Sequence, residues 1–359
     1  MKKTFEPLCR RMEWLDPFYK AVWEKAFADR IPISGTFELT PRCNFNCRMC
    51  YVHLPINQIP KYGIEMNGIE WIHIAEAAKK AGTTWLCITG GEPLVHPDFK
   101  EIWREISQMG FFITLQTNGS LLKNEILDLF EKYPPRAVKI SLYGTDNETY
   151  EKVCRIKNGF SKVDAGIQDL KKMNIPLELV STIIKQNENE LYSMFYYAVK
   201  NRLKWTNTVG VKQSIRGADM RYEEVQITDS RIEENFKEKL KYRINNAPLD
   251  INRKPCTMCK DYRVGYWITW NGQMRFCGFM NEPDISIRKM TFGSAWKELL
   301  RYEEALEWPN ECRACKAQAG CMRCAGLLST ASGSPTQISE DFCNRVKRYY
   351  DEKNERWKI

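Results

Sequence analysis

No run of apolar residues in this 359-residue chain approaches the roughly 18 that a membrane-spanning helix needs. The basic start, MKKTFEPLCRRMEW, lacks the apolar segment of a secretory signal. Low-complexity tracts are missing, and so is any repeat beyond an alternation of strand-like and helix-like stretches. Basic residues do not cluster: Lys and Arg outnumber Asp and Glu by 54 to 45, but they are dispersed among acidic ones. That pattern is not a nucleic-acid signature, and the surplus favours an acidic partner such as a peptide or a phosphate. A cytoplasmic protein with neither membrane nor nucleic acid as partner is expected. What is present is an apolar fraction of 43%, ample for a core, and a length that allows one large α/β domain plus a smaller one. There are also fourteen cysteines. A reducing compartment does not support a disulfide framework, so metal binding becomes the leading explanation.

From about residue 35 to 211, β-rich runs alternate with amphipathic stretches. The expected strands are GTFELT (35–40), WLCIT (85–89), FITLQT (112–117), AVKISL (137–142), LELVSTII (177–184) and WTNTVGV (205–211). Between them, IEWIHIAEAAKKAG and HPDFKEIWREISQMG read as helices closed by Gly. Six strands with crossover helices imply a parallel sheet curved into all or part of a barrel, with chemistry on the loops after the strand C-termini. The residues before Pro32 read as a helical extension (1–33), followed by the core (34–215), a charged connector (216–250) and a cysteine-rich module (251–350). Within that module WITW reads as a strand and GSAWKELLRYEEALEW as a helix.

The stretch RCNFNCRMCYVHL follows the first strand and spaces Cys43, Cys47 and Cys50 as C-x3-C-x2-C. Three thiolates on so short a loop can wrap one corner of a cubane iron-sulfur cluster and leave one iron open. The alternative is a zinc site completed by His53. TGGEPLVHPDF (89–99) lies just after the second strand. Its paired glycines permit close backbone approach of a ligand, and its carboxylate can hold an ammonium.

Together these motifs resemble the radical S-adenosylmethionine (radical SAM) superfamily, over roughly residues 36–211. Tyr51 fills the aromatic position that the family places after the third cysteine. The resemblance implies that S-adenosylmethionine chelates the open iron and is cleaved reductively to a 5′-deoxyadenosyl radical. It implies that Gly90, Gly91, Glu92 and Pro93 meet the amino group of S-adenosylmethionine. Asn118 in QTNGSLL and Ser141 in SLYG match the segments near its ribose and carboxylate, although Tyr143 stands where many relatives carry Asp. Arg155 is a candidate partner for the methionyl carboxylate, its alternative being an exposed helix charge. His96 reads as a helix-start residue, and His73 as structural, on an apolar stripe in mid-helix.

Downstream, Cys256, Cys259, Cys277, Cys312, Cys315, Cys321, Cys324 and Cys343 supply eight more thiols, enough for two further 4Fe-4S clusters or for two zinc ribbons. Their spacing resembles the SPASM auxiliary-cluster domain, though two residues separate Cys321 from Cys324 where the family usually has three. The resemblance assigns Cys256, Cys259, Cys277 and Cys324 to one auxiliary cluster, and Cys312, Cys315, Cys321 and Cys343 to the other. Cys9, Cys87 and Cys154 remain, with inert burial as the default for the last two. The sharper reading makes one of them a hydrogen-atom donor.

SPASM members mostly modify peptides or proteins, which implies a peptide maturase with a flavodoxin or ferredoxin as electron donor. The alternative is a small-molecule dehydrogenase or decarboxylase in a cofactor or secondary-metabolite pathway. A minor alternative is an anaerobic sulfatase-maturating enzyme, whose proposed catalytic Asp is replaced here by Gly278, with Glu282 or Asp284 as nearby substitutes. About 42 residues precede Cys43, which is too few for a winged-helix leader-binding module.

Overall fold

A computed structural model describes residues 17–209, 211, 213, 214, 216–227, 237, 240, 241, 254–258, 264–318, 321, 323–351 and 356–358. The expected βα alternation forms. Helix α1 (Pro17–Asp29) leads into β1 (Ser34–Glu38). Then follow α2 (Gly68–Lys80), β2 (Trp85–Thr89), α3 (Phe99–Gln108), β3 (Phe112–Thr117), α4 (Asn124–Lys132) and β4 (Ala137–Ser141). After these come α5 (Asn147–Cys154), α6 (Gly159–Lys172), β5 (Leu177–Ile183), α7 (Leu191–Asn201) and β6 (Lys204–Val209). Adjacent strands from β1 to β6 pair in parallel, as crossover helices require, and form an open, partial α/β barrel.

Local chemistry explains the boundaries. At α2, the Asn67 side chain accepts from the Glu70 N–H while Glu70 accepts from the Asn67 N–H, a reciprocal capping box. On α3, Phe99, Ile102, Trp103 and Ile106 are buried, one face of a 3.6-residue repeat. Each such side chain contributes about 1.5–3 kcal/mol by leaving water, and the Trp103 indole N–H is satisfied by the Tyr133 carbonyl at 3.0 Å. This helix and its neighbours close the large core over Phe37, Leu39, Trp71, Ile88 and Leu115.

The cysteine-rich module departs from expectation in how it begins. Strand β7 (Gly265–Ile268) pairs in parallel with β1, and β8 (Gln273–Arg275) and β9 (Ile285–Ser286) extend the same sheet antiparallel, giving nine strands in all. At Gly35 a Cβ would sit 2.4 Å from the Tyr266 hydroxyl, so its absence leaves room for the Tyr266 ring against β1. Helix α8 (Phe292–Ala305), capped by the Thr291 hydroxyl, buries Phe292, Ala295, Trp296 and Leu299 in the barrel core. Its Trp296 indole donates to the Arg30 carbonyl at 2.7 Å. Beyond it lie α9 (Ala325–Ser332) and α10 (Glu340–Lys347), which pack in smaller clusters. Among the described residues no helix is long and apolar enough to cross a membrane. Cys9, Cys259 and most of the connector lie outside the described residues.

Candidate functional site

The cysteine loop leaves the C-terminal end of β1 and is held on two sides by backbone. The Asn46 and Arg48 N–H groups donate to the Cys154 and Val153 carbonyls at the end of α5, at 3.1 and 2.9 Å. On the other side, the Gly91 N–H donates to Thr40 O at 2.7 Å and the Glu92 N–H to Arg42 O at 2.8 Å. Here the glycines do something the sequence reading did not foresee. A Cβ on Gly90 would lie 2.7 Å from Thr40 O, and one on Gly91 2.4 Å from Arg42 O. The close approach they permit is that of the cysteine loop's own backbone.

Glu92 is wholly buried and spends its carboxylate on the protein. It accepts from the Leu94 N–H at 3.1 Å, the Thr117 hydroxyl at 2.8 Å and the Asn118 N–H at 2.7 Å. Burial pushes its pKa up to about 7, against the pull of these three donors. Pro93 is buried at the start of a single 3-10 turn. Asn118 carries the tie onward: its amide donates to Asn44 Oδ1 at 2.9 Å and approaches the Cys43 sulfur at 3.8 Å, while its oxygen accepts from Ser120. The loops after β1, β2 and β3 are thereby one hydrogen-bonded unit.

The sulfurs are set in this frame. Cys43 accepts from the Phe45 N–H and Cys50 from the His53 N–H, both at 3.3 Å. His53 thus meets the loop through its backbone, and burial lowers its imidazole pKa. Cys47 lies within hydrogen-bonding reach of the buried Cys154 thiol, and that contact, with burial, raises its pKa. Burial pushes the Cys50 thiol up to about 11 and raises that of Cys43 as well. Thiolates in such a place need a compensating cation, which iron supplies, and N–H···S bonds help to stabilise the charge on sulfur. The three cysteines therefore fit a cluster. Among the described residues no three His, Cys, Asp or Glu side chains converge on a single metal ion. One tetrahedral zinc, with bonds of 2.3 Å, would draw its sulfurs to about 3.8 Å apart, whereas a cubane spreads them over separate irons.

The remaining residues singled out in the sequence surround this loop. The Tyr51 ring lies 4.7 Å from that of Phe279, in the turn after Cys277. Ser141 shares a side-chain hydrogen bond with the Tyr143 hydroxyl, whose pKa is raised by burial and by nearby Cys47. Arg155 is exposed, ends α5 in the left-handed conformation (φ 54°), and is close enough to Cys47 to favour its thiolate. His96 is structural: its Nε2 pairs with Met66 O at 2.9 Å, and its Nδ1 accepts from the Asp98 N–H. His73 is exposed on α2, a correction to the apolar stripe read from sequence.

Of the C-terminal cysteines, Cys256 and Cys277 share an apolar cluster with Ala325, the residue after Cys324. Gly326 lets the Cys277 sulfur approach, since a Cβ there would be 3.2 Å from it. Cys324 caps α9, its sulfur accepting from the Leu327 N–H. Cys312, Cys315, Cys321 and Cys343 line one cavity of about 50 Å³, and the pKa of Cys312 is pushed up to about 11 by burial and then opposed by Arg323.

Sequence reasoning missed the ion pair beside the loop. Arg216 grips Glu38 through both carboxylate oxygens, at 2.7 and 2.8 Å, and the Trp267 indole donates to the same carboxylate at 3.0 Å. Burial works against the charged Arg216, and Glu38 more than offsets it. The available signal was a Glu inside the apolar strand GTFELT, which demands a buried partner.

A partial barrel with three cysteines after its first strand and a glycine loop after its second has the architecture of a radical SAM domain. Residues 37–195 match the Radical SAM superfamily, so this part of the chain is such a domain. The AdoMet-dependent heme synthase of Methanosarcina barkeri is 31% identical over 162 residues, 45% of this chain and 46% of that protein. The sporulation killing factor maturation protein SkfB of Bacillus subtilis is 29% identical over 161 residues, 45% of this chain and 38% of that protein. The chain thus spans less than half the length of these two relatives. The crystal structure of Streptococcus suis SuiB bound to precursor peptide SuiA matches 96% of this chain and 83% of its own with a TM-score of 0.65. At 14% identity that likeness is one of fold.

Proposed function

We propose that the chain is a radical SAM enzyme that abstracts hydrogen from a peptide or protein and passes the surplus electron to two auxiliary clusters. Cys43, Cys47 and Cys50 would hold the first 4Fe-4S cluster, with Gly90, Gly91, Glu92, Pro93, Asn118, Ser141, Arg155 and Tyr51 framing S-adenosylmethionine. Reduced cluster and S-adenosylmethionine together supply a 5′-deoxyadenosyl radical. Cys256, Cys259, Cys277 and Cys324 would hold one auxiliary cluster, and Cys312, Cys315, Cys321 and Cys343 the other. The observation that carries this reading is the binding of three loops into one unit around the cysteine triplet at the strand C-termini. The four-cysteine cavity beyond α8 supports one of the two auxiliary sites. SkfB, named as a maturation protein, and SuiB, captured with a precursor peptide, support a peptide substrate. A cytoplasmic setting and a flavodoxin or ferredoxin donor belong to the same reading.

Similarity to a heme synthase favours a second reading, a small-molecule substrate. A sulfatase-type maturase is disfavoured. Gly278 leaves no carboxylate at that position, a Cβ there would lie 2.8 Å from the Trp267 ring, and Glu282 accepts from Ser334. Anaerobic reconstitution tests the proposal. About 12 iron atoms per chain are expected, falling to about 8, with loss of S-adenosylmethionine cleavage, in the triple Cys43, Cys47 and Cys50→Ala variant. Zinc without sulfide would sink it. Mass spectrometry of a Cys-, Thr- or Tyr-rich peptide encoded next to this chain, co-expressed without oxygen, separates the peptide reading from the small-molecule one.

A further inference from the structure

Strands β7–β9 with their connections and Arg216 line an open cavity of about 560 Å³, within the size range of ligand pockets. Its wall joins the candidate site at two places. Arg216 is bound to Glu38 at the end of β1, and Trp270 packs on Leu54 just beyond the cysteine loop. Three cations line the cavity, Arg216, Arg275 and Lys289, against Asp284 alone. Counting Glu38 behind Arg216, they still outnumber the carboxylates. Arg275 is 8% exposed. One of its nitrogens donates to Met280 O at 2.9 Å. Its ion pair is with Asp284, at 3.5 Å, a carboxylate 86% exposed to water and so displaceable. Arg275 Nε and Arg216 Nε are buried with no hydrogen-bond partner among the described residues. So is Gln273 Oε1, an acceptor on the same wall. A buried guanidinium of this kind favours an incoming carboxylate, and a buried unpaired carbonyl favours an N–H.

We infer that this cavity is an anchor for an acidic residue of a peptide substrate, its carboxylate meeting Arg275 and Lys289 and its backbone N–H meeting Gln273. The inference rests on the peptide reading above and names the residue class that such a peptide presents beside the radical site.

Saturation-transfer NMR on the anaerobically purified full-length protein tests it, with N-acetylglutamate N-methylamide, the corresponding glutamine amide and glutarate as probes. The glutamate probe is expected to bind at least about fivefold more tightly than the glutamine probe. Lys289→Gln should weaken that binding severalfold, and Asp284→Asn, which removes the internal competitor, should strengthen it. Both positions are exposed, so both variants should fold. Equal binding of the glutamate and glutamine probes, no binding, or variants without effect would overturn the inference. Glutarate binding more tightly than the peptide-like probe would assign the cavity to a free acid and overturn the peptide assignment. S-adenosylmethionine cleavage by the unaltered protein is measured in parallel. Cleavage without probe binding refutes the anchor, whereas probe binding without cleavage refutes the radical reading.

Discussion

Glu92 shows how one buried carboxylate can join two loops of the candidate site. Its carboxylate gathers donors from Leu94, Thr117 and Asn118, and so fastens the loop after β3 to the loop after β2. Glu92→Gln would turn one acceptor oxygen into a donor and leave a buried N–H or hydroxyl unpaired. A loss of about 1–3 kcal/mol in unfolding free energy, read from denaturant titration, is expected. The pH dependence has a definite sign. Folding raises the Glu92 pKa from 4.5 to about 7, so its contribution is fully present below pH 4.5 and is lost as pH rises through about 7. The Gln variant should lack that downward slope. Gly91→Ala tests the neighbouring contact. With a methyl group 2.4 Å from Arg42 O, the cysteine loop must shift. Iron content after reconstitution should fall, along with about 1–3 kcal/mol of stability. Unchanged iron loading would show that the loops do not depend on this fit.

At the level of elements, β1 is the meeting point. It pairs with β2 on one side and β7 on the other, and its last residue, Glu38, binds Arg216 and Trp267 from later parts of the chain. Arg216→Met would strand a carboxylate that is 1% exposed, and unfolding experiments should show a loss of about 3–5 kcal/mol. Changing both partners, Glu38→Gln with Arg216→Met, should recover much of that loss, because no buried charge is then left unpaired. The strands and helices of the barrel were largely legible. WLCIT and FITLQT have the bounds read from sequence, and α3 buries the face its periodicity marked. The β7–β9 extension was not legible, because it depends on β1 meeting β7, some 230 residues later in the chain, with the Tyr266 ring against Gly35. No local periodicity carries such information.

For the whole molecule, the distribution of core matters. The barrel rests on one large apolar cluster, whereas the segments bearing Cys312, Cys315, Cys321 and Cys343 rest on small ones. Metal binding couples most strongly to folding where little else holds the chain. Removing iron anaerobically should therefore leave the far-UV circular dichroism of the barrel nearly intact, while limited proteolysis moves into residues 310–350. Cuts distributed evenly over the chain would contradict this. The sequence alone determined the βα alternation of the barrel and the identity of the cysteines, because period-2 and period-3.6 patterning and short motif spacing are local properties. Tertiary structure alone decided what the motif residues touch. The GGEP glycines admit backbone and Glu92 faces inward. Glu38 finds Arg216, and strands β7–β9 set a cationic cavity beside the cysteine loop. Each of these depends on distant segments arriving at one place, which packing fixes and linear pattern does not.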